Sequence, residues 1–115
     1  MNYRRCKMKS TGESRTVEQL PQHLRTQILE ISANLREIEL VMLFGSRARG
    51  DADERSDIDL AVSAPRASQR QRLDILDALD DLDTLLAVDT VIWEEAPTDL
   101  RDRIGREGTV LYERR

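Results

Sequence analysis

Six of the seven residues from Ile38 to Phe44 are apolar, and the run stops at Gly45. A run this short, with no polar side, reads as a β-strand buried on both faces. It constrains the fold more than any other stretch, because such a strand needs a layer of structure on each side of its sheet. The chain offers helices for the purpose. Leu24, Ile28, Ile31 and Leu35 recur at intervals of 4, 3 and 4, a helical stripe that Pro21 can open. Ile75, Leu79, Leu82 and Leu86 repeat those intervals, and Asp74, Asp77, Asp80 and Asp81 occupy the opposite side of the same expected helix.

Two further strands are expected. From Asp57 to Val62 the chain alternates, so Asp57, Asp59 and Ala61 share one face while Ile58, Leu60 and Val62 share the other. Val88 to Trp93 is rich in β-branched residues and sets Asp89, Val91 and Trp93 on a common face. Leu100 and Ile104 mark a short helix ending near Gly105 or Gly108, followed by an edge strand at Thr109 to Tyr112. The expectation is an α/β (α+β) domain with a small mixed sheet and helices packed on it. With 115 residues the chain has room for one such domain, over 16–115, behind a leader at 1–15.

Charge separates these two parts. The leader holds Arg4, Arg5, Lys7, Lys9 and Arg15 against Glu13, a net +4, while the remaining residues carry −8. An acidic body argues against a nucleic-acid groove, so a nucleic-acid contact is expected only through the basic leader, which reads as a flexible extension. One cysteine, Cys6, and one histidine, His23, exclude an internal disulfide, a structural zinc site and any site that needs two histidines. Without a run of about 20 apolar residues or a signal-peptide core, no membrane contact is expected, and the expected compartment is the cytoplasm.

The chemistry concentrates between the first two strands. Gly45 allows a sharp turn out of a strand and a close approach of backbone N–H groups to a ligand. Ser46 adds a hydroxyl, and Arg47 and Arg49 can approach an anion, so the turn suits phosphate. Asp57 and Asp59, two apart on a strand, project together and repel unless a cation lies between them. Magnesium, a hard cation with oxygen ligands, fits such a pair and the chemistry of phosphoryl or nucleotidyl transfer. A third carboxylate is wanted, and Asp89, expected among apolar neighbours on the next strand, is the best candidate. The loop lacks the Gly-Lys-Ser/Thr ending of a P-loop, and the loop after Asp51 has Ser56 and Val62 where a calcium loop needs glycine and glutamate.

The combination of Gly45-Ser46, Gly50 and Ser56-Asp57-x-Asp59 resembles the signature of the polymerase-beta-type nucleotidyltransferases, in their minimal single-domain branch. The likeness extends over about residues 20 to 112 and includes Arg106-Glu107-Gly108 and Val110-Leu111-Tyr112 near the end. It implies that Gly45 and Ser46 seat the triphosphate of ATP, and that Asp57, Asp59 and Asp89 hold magnesium and carry catalysis. Asp89 would help activate the acceptor. Ser56 belongs to the signature, while Arg47 and Arg49 are implied as phosphate or partner contacts. Members of the branch resemble the MntA antitoxins, which neutralise an adjacent HEPN toxin, HepT, by moving AMP from ATP onto a toxin tyrosine. The implied protein is therefore an antitoxin and protein adenylyltransferase in a hetero-oligomeric complex with a HepT-like partner. Its rival is a binding module that neutralises the partner by masking it.

Overall fold

The computed structural model describes residues 20–114, so the basic leader and Cys6 lie outside the described residues. The elements are α1 (Gln22–Asn34), β1 (Leu40–Phe44), α2 (Gly45–Arg49), β2 (Ile58–Ser63), α3 (Gln69–Asp80) and β3 (Val88–Ile92). A 3-10 turn at Trp93–Glu95, α4 (Thr98–Glu107) and β4 (Thr109–Glu113) complete the order. The strands form a mixed sheet in the order β3-β2-β1-β4. β1 is antiparallel to β2 and β4, and β2 is parallel to β3, with α3 as the crossover that a parallel pair requires.

The sheet has two unlike faces. Val41 and Leu43 stand opposite Val62 and Leu60 in the β1–β2 register. Together with Ile58 these residues pack against Leu24 and Ile28 of α1 and Ile75 and Leu79 of α3. Each such fully buried side chain contributes about 1.5–3 kcal/mol relative to an exposed one. On the opposite face Phe44 and Ala61 pack with Ile104 of α4, and Met42, Val91, Trp93 and Leu100 lie against that smaller cluster. The apolar run at β1 is thus covered on both sides, as its composition demands.

Local chemistry sets the boundaries. Ser68 and Gln71 form a capping box at the start of α3: the Ser68 hydroxyl accepts from the Gln71 backbone N–H, and the Gln71 side-chain Oε1 accepts from the Ser68 backbone N–H. The apolar repeat continues past the end of that helix, so Leu82 and Leu86 join the main core from the following turns instead of from α3 itself. Ile38 is fully buried although β1 starts two residues later. Trp93 does not extend β3, because the chain turns after Ile92. The Glu94 carboxylate then accepts the Ala64 N–H at 2.9 Å and the Ser63 hydroxyl at 2.6 Å, tying the turn to the end of β2. Arg101 of α4 donates to the Trp93 and Glu94 carbonyls at 2.9 and 3.0 Å and so holds the helix against the same turn. Among the described residues no helix is long and apolar enough to cross a membrane.

Candidate active site

The site is built where β1 gives way to α2. Gly45 has φ +76°, a left-handed conformation that favours glycine, and it turns the chain directly into a five-residue helix. Gly50, at φ +87°, ends that helix, with the N–H groups of Gly50 and Asp51 donating to the Ser46 carbonyl at 3.0 and 3.2 Å. The segment expected as a turn and loop is therefore a short helix that starts at one glycine and is capped by another. Gly45 also needs to lack a side chain for a second reason: a Cβ there would overlap the Asp59 carboxylate Oδ2.

Strand register assembles the acids. Asp59 of β2 is the Cα partner of Phe44 at the end of β1 and of Asp89 on β3. Asp59 and Asp89 are therefore neighbours on the face that α4 covers elsewhere, and Asp57 lies just ahead of β2. Asp59 is half-buried, whereas Asp57 and Asp89 are exposed. Burial pushes the Asp59 carboxyl above its ordinary value, and the negative charges of Asp89 and then Asp57 push it the same way, against Arg103 and Arg49. The expectation that Asp89 sits buried among apolar neighbours is corrected by its exposure: β3 is an edge strand, and Asp89 lies near its open start.

The polar loop from Asp51 to Asp57 is anchored from below. Arg47 is only 3% exposed, and its guanidinium donates to the Ser56 carbonyl at 3.0 Å and the Glu54 carbonyl at 3.1 Å. Arg47, expected to approach an anion, instead pins the loop that leads into Asp57. The Ser56 hydroxyl accepts the Asp53 N–H at 3.0 Å, so it closes a turn of that loop. Arg49, by contrast, lies at the rim, paired with Asp51 and with Glu107 of α4, each at 3.2 Å.

Sequence reasoning missed Arg103 and took Glu107 only as part of the Arg106-Glu107-Gly108 ending, without a role at the site. Arg103 and Glu107 are four residues apart on α4 and pair at 3.9 Å. That i,i+4 spacing was a readable helix signal. Its link to the aspartates was not, because it depends on how α4 crosses the sheet.

Among the described residues no three acidic, histidine or cysteine side chains converge closely enough to hold an ion as they stand. The donor chemistry nevertheless fits magnesium. This ion is commonly bound through one or two carboxylates and completed by water and substrate phosphate oxygens. Asp57 and Asp59 offer that pair, and Asp89 stands in register beside it.

A family model described as "Polymerase beta, Nucleotidyltransferase" matches residues 26–115. The chain is similar in structure to a toxin-antitoxin solved with AMP-PNP, at 26% identity and TM-score 0.64, over 79% of this chain and 74% of that one. It is similar to the toxin-antitoxin MntA-HepT at 25% identity and TM-score 0.60, over 82% and 74% of the two chains. It also shares its fold with a complex from Shewanella oneidensis, a tri-AMPylated HEPN toxin with an MNT antitoxin. There the identity is 24% and the TM-score 0.60, over 81% and 72% of the two chains. No curated protein sequence matches the chain.

Proposed function

The chain belongs to the polymerase-beta nucleotidyltransferase family, and from that premise we propose that it transfers AMP from ATP to a tyrosine hydroxyl of a HEPN-type toxin, acting as the antitoxin of a hetero-oligomeric pair. The observation that carries the reading is the pairing of Asp59 with Asp89 across parallel strands, at the foot of the Gly45 turn. Similarity to toxin-antitoxin structures, one of them solved with AMP-PNP, supplies the nucleotide and the class of partner.

In this reading the Gly45 turn and the Ser46 hydroxyl seat the β- and γ-phosphates. Asp57, Asp59 and Asp89 would hold magnesium, which when bound would supply positive charge to the phosphates and lower the charge cost of transfer. The tyrosine oxygen attacks the α-phosphorus as the bond to the bridging oxygen of the β-phosphate breaks. Pyrophosphate leaves, and the Asp89 carboxylate, exposed at the strand start, accepts the phenolic proton. The Arg47 anchor keeps the loop before Asp57 in one conformation, so the first aspartate is held ready. The toxin brings the acceptor tyrosine to the site. The supply of ATP matches the cytoplasm expected of the chain.

The test is the intact mass of the HEPN partner after incubation with this protein, magnesium and ATP. The proposal expects added mass in whole AMP units, absent when Asp57→Ala and Asp59→Ala are combined. An unmodified toxin that still binds and is still inhibited overturns transfer and moves the function to masking.

A further inference from the structure

Nucleotide binding at this site sets an electrostatic problem. Three aspartates must accept a polyphosphate, and the only lysines, Lys7 and Lys9, belong to the leader. Among the described residues, arginine is the side chain that can add positive charge to that of magnesium. Arg47 is turned inward onto the loop carbonyls.

Two other arginines lie at the rim. Arg49 on α2 and Arg103 on α4 both approach the same atom, Oε1 of Glu107, at 3.2 and 3.9 Å. Their side chains are 43% and 51% exposed, while that of Glu107 is only 18% exposed. The carboxylate is thus the more buried partner, and two more exposed cations meet on it from different helices. Arg49 uses one donor on Asp51 and one on Glu107. A guanidinium has five, so its fork retains N–H groups for a phosphate. Two guanidinium groups drawn to one oxygen repel each other, and a phosphate between them relieves that repulsion.

Their position relative to the acids supports the same use, since α2, which carries Arg49, starts at Gly45, where the Asp59 carboxylate fills the space of a side chain, and Glu107 ties Arg103 to that helix. We infer that Arg103 grips the β- and γ-phosphates of the nucleotide together with Arg49, and that Glu107 is the positioning residue that aims both. The inference rests on the nucleotide-transferring reading of the site and names the residues that select a triphosphate over a monophosphate. It also gives α4 a role beyond packing Ile104 on the sheet.

The test is calorimetric binding, with magnesium and in the complex with the HEPN partner, of a non-hydrolysable ATP analogue and of AMP. Arg103→Ala should weaken the analogue roughly tenfold, the scale of one charge-assisted hydrogen bond, and leave AMP unchanged. Arg103→Lys should fall between wild type and alanine, because the charge survives without the fork. Glu107→Gln should also weaken the analogue and spare AMP, a selectivity that a merely structural role does not produce. Arg103→Ala binding the analogue as tightly as wild type, or losing AMP in the same proportion, overturns the inference alone. A wild-type protein with no affinity for the analogue overturns the nucleotide reading and the inference with it.

Discussion

The Asp59 carboxylate occupies the space that a side chain at residue 45 would fill, so the acid and Gly45 exclude any other residue from the turn. Gly45→Ala therefore meets two penalties, the left-handed φ of +76° and the overlap with Oδ2. Gly50→Ala meets the first alone, because nothing lies within 4 Å of the position its Cβ would take. Gly50→Ala should cost about 1–2 kcal/mol and Gly45→Ala more. Denaturant midpoints of the two variants check this, and equal losses would show that the close approach carries no energy.

Asp59 also gives the metal-free protein a pH dependence with a definite sign. Its carboxyl is raised in the folded state, first by burial and then by Asp89 and Asp57. The folded chain therefore binds the proton more tightly than the unfolded chain. The contribution of Asp59 is most favourable at low pH and is lost as pH rises from the ordinary value of 3.8 through the raised one. Asp59→Asn should remove this loss and be the more stable protein near neutral pH, while losing AMP transfer. Denaturation between about pH 4 and 7, with and without the substitution, measures it.

Magnesium should compete with that proton. Affinity for the ion should fall as pH drops through the raised Asp59 value, and Asp59→Asn should show a weaker affinity with little pH dependence. Titration calorimetry at several pH values reads both. An affinity independent of pH in the wild type would remove Asp59 from the ion site.

Arg47→Ala should be costly for a different reason. The substitution leaves the Ser56 and Glu54 carbonyls without their guanidinium partner and opens a cavity at a position only 3% exposed. A loss of about 2–4 kcal/mol is expected. Faster amide exchange should appear over residues 51–57 and not in α1. Unchanged exchange in that loop would contradict the anchoring role.

Ser68→Ala provides the contrast, because it removes the capping box of α3 on the side of the sheet away from the aspartates. It should lower stability by about 1 kcal/mol and leave transfer unchanged. A change in activity would mean that α3 communicates with the site.

The sequence made the layers legible because Ile38 to Phe44 and the two 4, 3, 4 stripes carry strong periodic signals. Strand ends shifted by one or two residues, where packing of Ile38 and the turn at Trp93 outweigh local pattern. The helix at Gly45–Arg49 was hidden for a physical reason: five residues are too few to show a helical period, and the glycines at its ends read as loop. Asp57 and Asp59 could be read from alternation, and their relation to Asp89 depends on a parallel register across 30 residues that no local pattern encodes. Arg47 illustrates the limit most directly. Residue type suggested an anion contact, whereas burial turned the same donors onto backbone carbonyls.

The unlike faces of the sheet separate what can vary from what cannot. Side chains such as Leu60 and Val62 point toward α1 and α3, while Asp59, next to Leu60 in the chain, belongs to the other face. Repacking on the helical side can therefore shift melting temperature while leaving the acids' spacing intact, as long as strand register is kept. One sheet thus divides a surface whose packing sets stability from a surface that carries the acids.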